Sequence, residues 1–175
     1  LQPGRQTWRI QRSGGGVLWD RTLHDLDLLR FLFHANPREV YGRTSQSLHQ
    51  TEVEDDLLGY ATLTGGLTVQ IHDSFVLPYA PVRLELFGTQ GAIQALHCGP
   101  GGAEQATLLV QRGGHIEQVT VPSIDPYRAA LARFVAAVRG LAPPLADAQD
   151  EVQNLAALAA MRAATATGTS RRLAP

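Results

Sequence analysis

The sequence predicts an α+β fold, an open and mostly antiparallel sheet with helices packed on one face. Three observations carry this. Apolar residues recur at helical spacing from residue 17 to 33 and again beyond residue 125. Between residues 38 and 121 the apolar period changes to two, the signature of strands. The breaks between the alternating runs are short and rich in glycine, and short breaks favour hairpins, since parallel crossovers need about a dozen residues or more. The chain of 175 residues is 44 % hydrophobic and 18 % charged. That is enough apolar side chain for a core, and residues 1–175 read as one domain.

The first helix is expected from Val17 to Phe33, entered from Ser13-Gly14-Gly15-Gly16. On a helical projection Asp20, His24 and Asp27 fall in a stripe about 60° wide, with large apolar residues around the rest of the circumference. Such a helix is expected to be buried, with Arg21, Asp25 and Arg30 as its wet positions. It should stop before Asn36-Pro37, because proline disfavours α geometry in the residue ahead of it.

Seven strands follow: Val40 to Ser47, Leu57 to Thr64, Leu67 to Phe75, Val82 to Phe87, Ala92 to Leu96, Ala106 to Gln111 and Ile116 to Val121. Leu67, Val69, Ile71 and Phe75 alternate with Thr68, Gln70, His72 and Ser74, so one side of the sheet should pack on helices and the other face water or a partner. Asp125-Pro126 then reads as an N-cap followed by proline at the first helical position. Tyr127, Leu131, Phe134 and Val138 repeat at helical spacing until Gly140. After Pro143-Pro144, Asp147 caps a last helix that places Asp150 and Glu151 in its first turn and runs to about Gly168.

Composition excludes several function classes. The net charge is −1, too little positive surface for a nucleic-acid binder. No apolar run reaches about 18 residues, so no transmembrane helix is expected. The one cysteine, Cys98, excludes an internal disulfide and a cysteine-only zinc site. All fifteen Lys or Arg residues are arginine, which removes the P-loop lysine and lysine acid–base chemistry. None of the glycine-rich stretches fits a dinucleotide fingerprint, and Gly88-Thr89-Gln90-Gly91 and Gly99 to Gly102 read as hairpin turns.

The strongest chemical signal is the stripe itself. Residues four and three apart on a helix are neighbours, and ionisable groups among large apolar side chains must be paired or face a cleft. A carboxylate beside an imidazole favours its protonated form, which suits proton transfer near neutral pH. From spacing alone two readings stay open, a self-satisfied His/Asp pair and an acid–base site. A metal site built from Asp20, His24 and one of His49, His72 or His97 is the weaker reading, since no third ligand stands at a diagnostic spacing, and no metal is expected.

The run from Gly14 to Arg30 resembles the G-G-G-x-L-x-D-x-G-x-H-x-x-D segment of the glucose–fructose oxidoreductase/inositol dehydrogenase/MocA (Gfo/Idh/MocA) family. Leu84 to Gly91 resembles that family's strand-and-turn "leiyGt-x-G", Tyr127 to Gly140 its helix, and Pro143-Pro144 with the helix after it the family's closing segment. The resemblance implies the C-terminal, substrate-binding half of an NAD(P)-dependent oxidoreductase acting on a sugar, polyol or related hydroxy compound. It implies that NAD or NADP sits on an N-terminal Rossmann domain, with none bound by this chain alone. By position, Asp20 and His24 match the family's Asp and His, with His24 as acid/base and Asp20 orienting the site. Trp8, Asp27 and Tyr79 are the implied substrate contacts. A small hydroxy substrate, a homodimer through the open sheet face and a cytoplasmic location are expected, without nucleic-acid or membrane partners.

The sequence departs from the pattern in three places. Thr22 stands where the family has glycine between Asp and His, no lysine is present, and only seven residues precede Trp8. The chain starts at Leu1 and its one methionine is Met161, so it reads as a piece of a longer protein, inactive without its cofactor domain. The alternative is a non-catalytic carbohydrate-binding or assembly module that kept the scaffold and lost the redox half.

Overall fold

In the computed structural model, residues 8–47, 51–77, 79–98, 106–122 and 124–174 are described. A 3-10 turn, Trp8–Ile10, leads into a single π-helical turn, Leu18–Thr22, which continues as α1, Leu23–Phe33. Strands β1 (Pro37–Ser45), β2 (Asp56–Leu63) and β3 (Thr68–Ser74) follow, then β4 (Arg83–Gly88), β5 (Gly91–Leu96), β6 (Thr107–Arg112) and β7 (His115–Val119). Helices α2 (Pro126–Val138) and α3 (Ala148–Thr167) and a short β8 (Arg171–Arg172) complete the order.

The α+β class holds, with every strand pair among the described residues antiparallel. The expected single meander is divided into two four-stranded sheets, ordered β3-β2-β1-β8 and β4-β5-β6-β7. Two compact units result, Leu1–Pro78 with Ala146–Pro175, and Tyr79–Leu145. The strand β8 was not expected from the sequence, because two arginines carry no alternation. It pairs with Glu39 and Val40 once the chain returns from α3.

The buried core lies in the first unit. Leu57, Ala61 and Leu63 of β2 and Ile71 of β3 form its sheet side, with Val40 of β1. Val17, Leu18, Leu26 and Leu29 press on it from the first helix, and Ala157, Leu158 and Met161 from α3. The α3 positions Asn154, Ala157, Leu158, Met161 and Ala164 are one helical face, and all are buried. Gly42 lets that face close on β1, since a Cβ there would press on Leu57, Met161 and Thr165.

Both predicted caps form. The Asp147 carboxylate accepts from the backbone N–H groups of Gln149 and Asp150, while Asp150 accepts in return from the Asp147 N–H, a reciprocal capping box. Asp125 accepts from Tyr127 and Arg128 at the start of α2. The expected apolar stripe of α2 is a different matter. Tyr127, Leu131, Phe134 and Val138 are all exposed, and no residue of α2 or of strands β4–β7 is buried.

Two expectations for the first helix are corrected. It is not buried all round, because Leu28, Phe31 and Leu32 remain exposed while only Leu26 and Leu29 of α1 enter the core. Of its three expected wet positions only Arg21 is exposed. Arg30 keeps 11 % of its side-chain surface and is tied to α3, and Asp25 is half-buried against β3. The reason is that α1 is covered on two sides, by the sheet and by α3, which periodicity within one segment cannot register.

Candidate active site

The predicted stripe is built across a junction between two helical geometries. In the π turn the Leu23 N–H reaches back to the Leu18 carbonyl, five residues away, so one extra residue is accommodated. That widening shifts the phase of everything after Thr22, and the three stripe residues meet different partners. Asp20, within the turn, accepts from Arg9 Nε at 2.7 Å. Asp27 accepts from Asn154 Nδ2 of α3 at 2.8 Å, in the seam between the two helices. His24 is exposed on the first turn of α1, and among the described residues no hydrogen bond joins it to either carboxylate.

Trp8 is brought to the site by Arg9. The Arg9 guanidinium lies 4.8 Å from the centroid of the Trp8 ring while its Nε holds Asp20, so one cation couples the indole to the carboxylate. Gly14 permits this fold-back, since any Cβ there would fall on the Trp8 carbonyl. Tyr79 belongs to the second unit and is 96 % exposed.

Thr22 and Asp25 meet a group the stripe did not include. Asp73 lies in the inward row of β3, between the buried Ile71 and Phe75, and is itself buried. The Thr22 hydroxyl donates to Asp73 Oδ2 at 2.7 Å, and Asp25, three residues further along the helix, hydrogen-bonds the same carboxyl group. Burial and then the neighbouring Asp73 push the Asp25 carboxyl up to about 7. Burial likewise raises Asp73, opposed by the Thr22 hydrogen bond and by Arg21. The Arg21 guanidinium lies 5.7 Å from the Phe75 ring, over the same end of the strand.

A cavity of about 420 Å³ opens between the Arg12–Gly15 turn, Trp19, Val53, Glu54 and Arg162. Its lining includes neither Asp20 nor His24. Glu54 pins the helix entrance there, its backbone carbonyl accepting from the Val17 N–H and its carboxyl from Leu18. Burial raises its pKa. Gly16, at φ +75°, carries the turn past that carboxyl, where a Cβ would collide with it.

Among the described residues no group of three or more His, Cys, Asp and Glu is placed to hold a metal ion. His72 instead contacts Asp56 at 3.3 Å, and His97 directly follows β5 in the second unit. His49 and the Gly99 to Gly102 turn lie outside the described residues. The other glycine turns are hairpins, Gly88 facing Gly91 across β4–β5 and Gly113-Gly114 joining β6 to β7. With both sheets antiparallel, no parallel strand leads into a helix N-terminus among the described residues, so these residues do not fit a dinucleotide pyrophosphate.

The comparison with known proteins decides the lineage. Residues 1–94, just over half the chain, match the model of the GFO/IDH/MocA C-terminal domain.

The chain belongs to the GFO/IDH/MocA family.

Within the family, the 1,5-anhydro-D-fructose reductase of Ensifer adhaerens is 32 % identical over 179 aligned positions, covering 99 % of this chain and 53 % of the reductase. The scyllo-inositol 2-dehydrogenase (NAD(+)) of Bacillus subtilis (strain 168) is 25 % identical, over 82 % of this chain and 44 % of its own. Among solved structures, the aldose-aldose oxidoreductase of Caulobacter crescentus complexed with glycerol superposes with a TM-score of 0.83 at 21 % identity, over 96 % of this chain and 51 % of that one. The first two are similar in sequence, and the third shares the fold. The chain spans about half the length of the curated relatives it matches. The resemblance read from Gly14 to Arg30 is borne out, and the Arg9 bridge and the Asp25–Asp73 pair are what it missed. Asp73 had a signal, an acid in the inward phase of an alternating strand, whereas Arg9 had none.

Proposed function

We propose that this chain is the substrate-binding half of an NAD(P)-dependent oxidoreductase acting on a sugar, polyol or related hydroxy compound. The observation that carries the reading is the placement of Asp20 and His24 on successive turns across a π bulge, a device common at functional sites. His24 presents an exposed imidazole and Asp20 a carboxylate held from behind by Arg9. In this reading His24 takes the proton of the substrate hydroxyl on oxidation and returns it on reduction of the carbonyl. Asp20 orients the hydroxyl, and Trp8, stacked under Arg9, offers a flat apolar wall of the kind a sugar ring lies against. A nicotinamide would accept the hydride on oxidation and supply it on reduction, its dinucleotide held by residues outside this chain.

The test is turnover of the intact protein with a candidate hydroxy substrate and NAD(P). His24→Ala should lower turnover about 100-fold or more with the fold retained. Unchanged activity per folded molecule would sink the acid/base role and favour a binding or assembly module instead.

The same reading makes the outward face of the first sheet a contact between copies of the chain. Tyr41 and Tyr60 stack there with centroids 5.5 Å apart, beside a half-exposed Leu58 and a row of Thr68, Gln70 and His72. A mixed, broad face of this kind is suited to a self-complementary contact.

A further inference from the structure

We propose that Asp25 and Asp73 hold one proton between them, and that this shared proton seats the first turn of α1 on β3, making the two acids positioning residues for Asp20 and His24. The geometry is specific. Asp73 occupies a core position of the inward row, 8 % exposed, where an apolar side chain would ordinarily stand. Thr22, fully buried at the end of the π turn, donates to one oxygen of that carboxyl group at 2.7 Å. Asp25 approaches it from the next turn of the same helix and completes a carboxyl–carboxyl hydrogen bond. Two carboxylates in contact, one buried and one half-buried, repel, so the bond exists only while one of them keeps its proton.

The charged groups acting on the pair are Arg21, from the π turn, and His72, from β3 itself. Arg21 is exposed and turned over Phe75, so it offsets the repulsion in part only. The consequence reaches the site because Asp25 adjoins His24 in the chain and Thr22 lies between Asp20 and His24. Losing the proton pushes that turn off the strand and carries the Asp20 and His24 side chains with it.

The direction of the pH effect follows from linkage. A carboxyl group whose pKa is higher folded than unfolded takes up a proton on folding. The stability it contributes is fully present below the unfolded value, about 4, and is lost as pH rises through the folded value, about 7 for Asp25.

Thermal unfolding of the intact protein across about pH 5 to pH 8 reads this directly, as the difference between wild type and variant. Asp25→Asn keeps a donor for Asp73 and removes the titration. It should unfold several degrees higher than wild type at the alkaline end, with the gap closing toward the acid end. Asp73→Asn should flatten the wild-type slope in the same way. Infrared spectra of wild type should show a protonated carboxyl band, absent from Asp25→Asn, that fades as the pH passes neutrality. If Asp25→Asn does not fold, that band and the Asp73→Asn slope decide. An unaltered slope in the variants, or no such band near neutral pH, overturns the pair.

The positioning role rests on the function proposed above. There kcat/KM should fall on the alkaline side of neutrality in wild type and stay level in Asp25→Asn, with Asp73→Asn behaving likewise. An alkaline limb that survives both substitutions overturns the positioning role. If His24→Ala leaves turnover unchanged, the acid/base reading fails, while unfolding and infrared still judge the shared proton.

Discussion

Arg30 binds four acceptors at once: Asn36 Oδ1 through Nε, Asn154 Oδ1 and the Asp150 carbonyl through one amino group, and Asp150 Oδ1 through the other. A planar fork of donors does this and an ammonium cannot. The bonds lock α1 to the first turn of α3, and Asn154, 1 % exposed, passes the link on to Asp27. Asp27 is therefore spoken for by structure, whatever contact it also makes with a substrate. Arg30→Met should leave the buried Asn154 oxygen without its donor and cost about 1–3 kcal/mol in denaturant unfolding. Arg30→Lys should recover only part of that loss. Arg9→Met, at a partly exposed pair, should cost under about 1 kcal/mol, so its effect should appear in turnover instead of stability. Equal stability losses for the two arginines would show that the α1–α3 link carries no special weight.

At the scale of the element, α3 is the helix on which the first unit depends. It brings Asn154, Ala157, Leu158, Met161 and Ala164 to the core on one face, is capped reciprocally at its start, and ends at Gly168 in a left-handed conformation. Leu158 is fully buried, while Leu155, one turn away, is 43 % exposed. Leu158→Ala should cost about 2–5 kcal/mol, from lost burial and the cavity left behind. Leu155→Ala should cost well under half as much. The measurement is urea unfolding of both variants, and comparable losses would mean that α3 packs through a different face. The π turn is the second element that matters. Its extra residue sends Asp20 to Arg9 and lets Asp27 face α3, where an unbroken α-helix would align them.

On the scale of the molecule, the chain forms two compact units. The first closes three long strands and a two-residue strand under two helices. The second is a four-stranded meander followed by α2, with no buried residue in its strands or helix. The proposed contact between copies belongs to the first unit, through Tyr41, Tyr60 and the outward row of β2 and β3. Light scattering of the intact protein at micromolar concentration should give the mass of a dimer or larger assembly. Tyr60→Asp should lower that mass and leave the circular dichroism spectrum unchanged. A mass indifferent to Tyr60→Asp would move the contact elsewhere.

Local chemistry was enough to determine much of this from sequence. The helical and alternating periods, the Asp125 and Asp147 caps and the α+β class all follow from interactions within a few residues, which the order of residues states directly. The Gly14 to Arg30 segment carried the family for the same reason, since its glycines, acids and histidine are spaced within one helix and its entry. What the tertiary structure decided are the relations between distant segments. The division of one expected meander into two sheets, the return of Arg171–Arg172 beside β1, and the burial of Arg30 depend on which segment arrives to cover which. Asp25 shows the physical reason most clearly. In the helix alone it is an acid at a solvent-facing position, and it becomes half of a proton-sharing pair only because Asp73, 48 residues further on, reaches the same spot from the inward row of β3.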